Sequence, residues 1–128
     1  MLNINKYVDI TKLDKEAKKD YIDRHSAFIE VEKEVEKGKL LAVTVKVGDE
    51  YAHPDDFDHY ISFIQLYNGQ TLLAQANFEP GAIFGNGEKG NLKVTFYIVA
   101  NKNLSLTAMA YCTKHGLWES DTVKVTVK

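Results

Sequence analysis

The chain has 128 residues, one domain in size, and is long enough to bury roughly two-thirds of its unfolded surface without disulfide staples. Lys and Arg number 16 against 18 Asp and Glu, for a formal charge of -2. The two signs are interspersed, so there is no basic stripe for nucleic acid. A single cysteine rules out an internal disulfide. The opening MLNINKYVDI is not a basic stretch followed by an apolar one, and no run approaches the ~18 apolar residues of a membrane span. A soluble, cytoplasmic, reducing setting is expected.

Thr11-Lys12-Leu13-Asp14 has the form of a capping box, in which the Thr11 hydroxyl accepts from the first helical amides. Leu13, Ala17 and Tyr21 recur every four residues, which predicts a short helix over 12–22 that delivers Asp23-Arg24-His25 to wherever it docks. The period then changes to two. A run near 27–36 holds the charged stretch Glu30 to Lys39, which alternates with Ile29, Val31 and Val35 and reads as one solvated face of a strand rather than an interaction tail.

Leu41, Val43, Val45 and Val47 alternate with Ala42, Thr44 and Lys46 as a half-buried strand does. Less regular runs at 60–67 and 71–78 flank Asn68-Gly69, a hairpin turn signal. The loop from Glu79 to Gly90 carries four glycines but lacks the GK[ST] ending of a phosphate cradle, and reads as a surface connection. Runs at 92–100 and 104–112 are separated by Asn101-Lys102-Asn103, and Val123, Val125 and Val127 close the series. About seven strands joined by short turns predict an all-β fold, an immunoglobulin-like antiparallel β-sandwich with a short N-terminal helix. No internal repeat or low-complexity linker divides the chain, so residues 1–128 are expected to form a single domain.

Cys112 stands three residues before His115 in the run CTKHGLWES, and His53 and His59 bracket the loop HPDDFDH. Leu104, Leu106, Ala108, Ala110 and Cys112 share one face of their strand, which puts the thiol at the end of an inward row before the break at His115-Gly116. Each segment alone has a plain reading: a small buried hydrophobe, two exposed histidines in an acidic loop, a histidine at a helix foot. Together with His25 they exhaust the chain's histidines and cysteine. Thiolate with imidazole suits redox iron, copper or zinc, and five donors exceed the four of a closed zinc site and leave a sixth position open. Asp55, Asp56 and Asp58 lack the glycine and distal glutamate of a calcium loop.

The segments HPDDFDHYI and YCTKHGLWES resemble those of the superoxide reductases, the neelaredoxin and desulfoferrodoxin family, and the resemblance covers nearly the whole chain. It implies a mononuclear non-haem iron cycling between Fe2+ and Fe3+, held by His25, His53, His59 and His115 and by the Cys112 thiolate. It also implies one-electron reduction of superoxide to hydrogen peroxide and a one-electron donor such as rubredoxin. The chain is similar to the one-iron neelaredoxin class, without the four-cysteine rubredoxin-like module, and that class implies a homo-oligomer, tetramer or dimer.

Where the family has glutamate and lysine before the first histidine and a proline two positions after it, this chain has Asp23, Arg24 and Ala27. Thr113 replaces the asparagine common after the cysteine. By resemblance Asp23 stands for the carboxylate that ligates oxidised iron, one methylene shorter. Arg24 stands for the positive charge near incoming superoxide, and with a pKa above ~12 it is a poor proton donor. Two alternatives are a cupredoxin-like electron-transfer protein, which usually needs a methionine after the last histidine where this chain has only Met1 and Met109, and a metal-free binding sandwich.

Overall fold

A computed structural model describes residues 4–12, 16–84 and 89–128. In chain order the elements are β1 (Asn5–Lys6), a 3-10 turn (Ile10–Lys12), α1 (Glu16–His25), β2 (Ala27–Glu30), β3 (Glu34–Val35), β4 (Leu40–Val47), β5 (His53–Pro54), β6 (Ile61–Asn68), β7 (Thr71–Asn77), β8 (Lys89–Gly90), β9 (Lys93–Val99), β10 (Leu104–Cys112), β11 (Gly116–Glu119) and β12 (Val123–Val127). One sheet has the order β2-β4-β9, all antiparallel. The other is built on β10, with β6 and then β7 along one edge. The opposite edge of β10 is shared: β11 pairs with its Met109–Cys112 half and β12 with its Leu104–Leu106 half.

Period-two alternation places Leu41, Val43, Val45 and Val47 from one sheet against Ile64, Leu66, Leu106, Ala108 and Ala110 from the other, all buried. Burial of a Val or Leu side chain contributes about 1.5–3 kcal/mol, so these alternating rows hold the two layers face to face. The row on β10 ends at Cys112, also in the core. The expected β-sandwich with one short helix is the observed architecture.

Several local expectations are corrected. The run 27–36 is not one strand: β2 joins the β4 sheet and β3 lies parallel to β12 in the other. The chain changes layers at Val31–Lys33, and alternation says which face is buried but not which sheet a strand joins. The hairpin loop is Gly69–Gln70 rather than Asn68–Gly69, because Asn68 pairs in register with Thr71. Gly69 has φ +59°, as the first central position of a type II′ turn requires. Asn68 instead accepts the Ser105 N–H at 2.9 Å.

The helix runs to His25 rather than stopping at 22, so Asp23, Arg24 and His25 form its last turn. Leu13 and Asp14 of the capping box, and the side chain of Ala17, lie outside the described residues. The Thr11 hydroxyl donates to Asp9 Oδ1 at 2.7 Å. Among the described residues no helix is long and apolar enough to cross a membrane.

Candidate metal centre

The site sits at the end of the sandwich where β10 stops. The β6/β10 register shifts between Tyr111 and Cys112, leaving Ser62 as the extra residue on β6, an irregularity common at sheet ends. Cys112 pairs with Gly116 across the turn Thr113–His115, and Gly116 takes φ +83°, which returns the chain into β11. His115 is held by its carbonyl, which accepts the Trp118 indole N–H at 3.2 Å. The turn is tied to the histidine loop: Thr113 N–H donates to the Tyr60 carbonyl at 3.1 Å, and Tyr60 N–H donates to Thr113 Oγ1 at 3.2 Å. Thr113 therefore links the Cys112 and His59 segments.

His53 opens β5, which pairs with β8 at the far end of the glycine-bearing loop. That loop is more than a surface connection at its described ends. Asp55 Oδ2 accepts the Ile83 and Phe84 N–H groups at 3.0 and 2.8 Å. A Cβ at Gly90 would lie 2.4 Å from the Phe84 ring. His59 closes a two-way backbone bridge with Asp56, at 2.9 and 3.2 Å.

The four imidazoles form a closed ring in the order His25, His53, His59, His115. Neighbouring centroids are 4.9, 4.8, 5.0 and 4.7 Å apart and neighbouring planes meet at 71–81°. His25 and His59, across the ring, are 6.3 Å apart and nearly parallel at 24°. Cys112 Sγ lies 3.2 Å from His53 Nε2 and 3.6 Å from His115 Nδ1, two opposite corners. One donor atom each from His25, His53, His59 and Cys112 falls within 4.8 Å of the others. His115 lies outside that mutually spaced set but closes the ring, its Nδ1 being 3.0 Å from His25 Nε2.

Which nitrogen faces inward follows from hydrogen bonding. Carbonyls only accept, so His25 Nδ1, 2.6 Å from the Tyr21 carbonyl, and His53 Nδ1, 2.7 Å from the Pro54 carbonyl, both carry hydrogen. Their Nε2 lone pairs are left to point into the ring. His59 Nε2 is the one buried side-chain nitrogen or oxygen among the described residues with no hydrogen-bond partner, an arrangement that calls for a ligand. Inward lone pairs from His25 and His53, an unpartnered His59 nitrogen and a thiol against the ring fit a soft or borderline cation.

Electrostatics agree with that donor set. Burial pushes His25 down to about 4, against the Tyr21 hydrogen bond that favours its cation, with His115, His59 and Arg24 lowering it further. His53 falls to about 3, again mainly by burial and then by His25. His59 is lowered by burial, His115 and Lys114, while Asp56 and Asp58 oppose the shift. His25, His53 and His59 are thus held toward the neutral form near pH 7, the form that binds metal. Burial raises the Cys112 thiol, with backbone N–H groups of Lys114 and His115 pulling the other way.

The remaining expected residues lie outside the ring. Asp23 is buried, but its Oδ2 accepts the N–H groups of Asp49, Glu50 and Tyr51 at 3.0, 2.8 and 2.8 Å. Arg24 bends back onto its own helix, with a guanidinium nitrogen 3.1 Å from Asp20 Oδ2 and Nε donating to the Asp20 carbonyl at 3.2 Å. Lys114 lies 3.8 Å from Asp58. Sequence reasoning missed two supports. Trp118 stacks on His25 at 5.1 Å and 19°, and Tyr21 contacts the rings of His25, His115 and Trp118. The signal for Tyr21 was its place four residues before His25 on one helix face.

The sequence matches the desulfoferrodoxin family over residues 12–121. The chain belongs to that family. Family members bind iron. Among relatives of this desulfoferrodoxin-family chain, the superoxide reductase of Pyrococcus abyssi is 34% identical over 113 residues, spanning 77% of this chain and 85% of the relative. The neelaredoxin of Megalodesulfovibrio gigas is 30% identical, spanning 77% and 84%. Among solved structures, the superoxide reductase (neelaredoxin) from Ignicoccus hospitalis aligns with a TM-score of 0.73 at 28% identity over 98% of this chain and 95% of that one. A putative superoxide reductase from Thermotoga maritima aligns with a TM-score of 0.74 at 25% identity over 98% and 94%.

Proposed function

We propose that the chain is a superoxide reductase, an oxidoreductase that holds one iron through His25, His53, His59, His115 and Cys112 and reduces superoxide to hydrogen peroxide. The observation that carries this is the four-imidazole ring with a thiol touching opposite corners and an unpartnered nitrogen on His59. When bound, iron supplies a one-electron couple and a Lewis-acidic open position. The balance is one superoxide, one electron and two protons per hydrogen peroxide, so a one-electron donor such as rubredoxin must restore the reduced state.

The residues divide the work by chemistry. Tyr21 and Pro54 carbonyls fix the tautomers of His25 and His53, as outer partners of metal-bound histidines do. Cys112 needs a cation to lose its proton, because burial alone raises its pKa. With ferrous iron bound, imidazole ligands and a single Cys112 thiolate would leave the site a net positive charge that favours a small anion. Asp56 and Asp58 work against that attraction, and Arg24 and Lys114, each paired to one carboxylate, offset them. A cupredoxin-type site would use two histidines and a methionine, whereas four rings converge here and Met109 lies on the outward face of β10 with Thr107.

The test is to mix reduced, iron-loaded protein with pulse-generated superoxide. Peroxide formation with no dioxygen release is expected; release of one dioxygen for every two superoxides would make it a dismutase instead. A cytoplasmic homo-oligomer belongs to the same reading, and light scattering measures the subunit number.

A further inference from the structure

Asp23 is a buried carboxylate two residues before His25, and the proposed chemistry leaves it without a task. Its Oδ2 takes three consecutive backbone N–H groups, from Asp49, Glu50 and Tyr51. Successive amides converging on one oxygen form a nest, a concavity for an anion. The loop is built around this anion. Gly48, at φ +76°, donates its N–H to the Ser26 carbonyl at 2.9 Å. A Cβ there would lie 2.2 Å from the Tyr51 carbonyl oxygen. From outside, Asn91 Nδ2 donates to the Gly48 and Tyr51 carbonyls at 3.0 and 3.3 Å.

We propose that Asp23 is a positioning residue and not a metal ligand: its carboxylate staples the end of α1 to the 48–51 loop, setting His25 and His53 at their spacing, and stands outside the cluster of His25, His53, His59 and Cys112 donors. His25 follows Asp23 by two residues and His53 follows Tyr51 by two, so the nest is the shortest bridge between the two segments. The staple itself stands apart from the superoxide reading. Only its effect on metal affinity rests on the five-donor assignment.

The experiment uses the full chain, metal-free, titrated with Co2+, together with Asp23→Ala, Asp23→Asn and Asp23→Glu. Amide hydrogen exchange at 49–51 and the Co2+ affinity are both measured. Asp23→Ala is expected to speed exchange at 49–51 and to weaken Co2+ binding about 10- to 100-fold, the usual loss when an outer partner of a ligand is removed. Asp23→Asn, which keeps an accepting oxygen in place, should rescue most of both, and Asp23→Glu, one methylene too long for the nest, should not. At saturation the Co2+ thiolate spectrum should be the same in Asp23→Ala as in the parent.

Unchanged affinity and exchange in Asp23→Ala would overturn the proposal, as would a changed saturated spectrum or rescue by Glu but not by Asn. Should Asp23→Ala not fold, the Asn and Glu pair decides it. Failure of superoxide reduction by iron-loaded parent protein would leave all of these measurements untouched, so the two readings fail separately.

Discussion

At the residue scale the centre depends on side chains that never enter the ring. Trp118 supports two donors at once, stacking on His25 and holding the His115 carbonyl. Trp118→Phe keeps a stacking surface and loses the N–H, so metal affinity is expected to fall about 10-fold with little change in fold, as isothermal titration would show. His59→Ala removes a buried nitrogen that has no partner within the fold. The metal content of purified protein should drop well below one per chain, while the thermal stability of the metal-free form changes by no more than about 1 kcal/mol, because no internal hydrogen bond of that nitrogen is lost. Arg24 is partly neutralised by Asp20, so Arg24→Ala should slow the reaction with superoxide only a few-fold, on the order of the effect of one screened charge, and flatten its salt dependence. A rate unchanged in stopped-flow at low salt would remove Arg24 from the mechanism.

At the element scale the positions of the donors come from ends and irregularities rather than from the regular strands. Cys112 is the last residue of the inward row of β10, the Gly116 turn returns His115, and the Gly48 loop leads to His53. Gly48→Ala meets both a positive φ and a carbonyl oxygen at 2.2 Å. A loss of roughly 1–3 kcal/mol is expected from backbone strain alone, read as a lower denaturant midpoint. The regular elements were legible because burial imposes period two on strands with one wet face, as in β4 and β9. The split of 27–36 between two sheets was not, since both halves obey the same alternation. Nor was the true end of α1: a narrow apolar stripe marks a helix but does not mark where it stops, and here the extra turn reaches His25.

At the scale of the whole molecule, the fold gathers four imidazoles into one ring, and the burial of His25 and His53 sets a pH response. In the unfolded chain histidines take up protons below pH ~6.5. In the fold His25 and His53 stay neutral until about 4 and about 3, chiefly because burial disfavours their cations. The unfolded state therefore binds more protons across that window, and stability rises with pH there. Metal-free protein should show its full histidine contribution above pH ~6.5 and lose it steadily as the pH falls toward 3, as denaturant melts across that range would record. A midpoint that does not move between pH 7 and 4 would contradict the buried ring.

The donor inventory, the sandwich and the family resemblance were determined by sequence alone, since alternation reports one-sided burial and a chain with four histidines and one cysteine can place no others in the site. Tertiary structure decided which partners each group meets. Asp23 and Arg24 sit beside His25 in sequence, yet one carboxylate closes on a loop 26 to 28 residues away and the guanidinium folds back on its helix. Hydrogen bonds to Tyr21 and Pro54 carbonyls chose the inward nitrogen of His25 and His53. Such choices depend on which backbone groups lie within about 3 Å of a side chain, and that distance is set by the packing of the two layers rather than by neighbours along the chain.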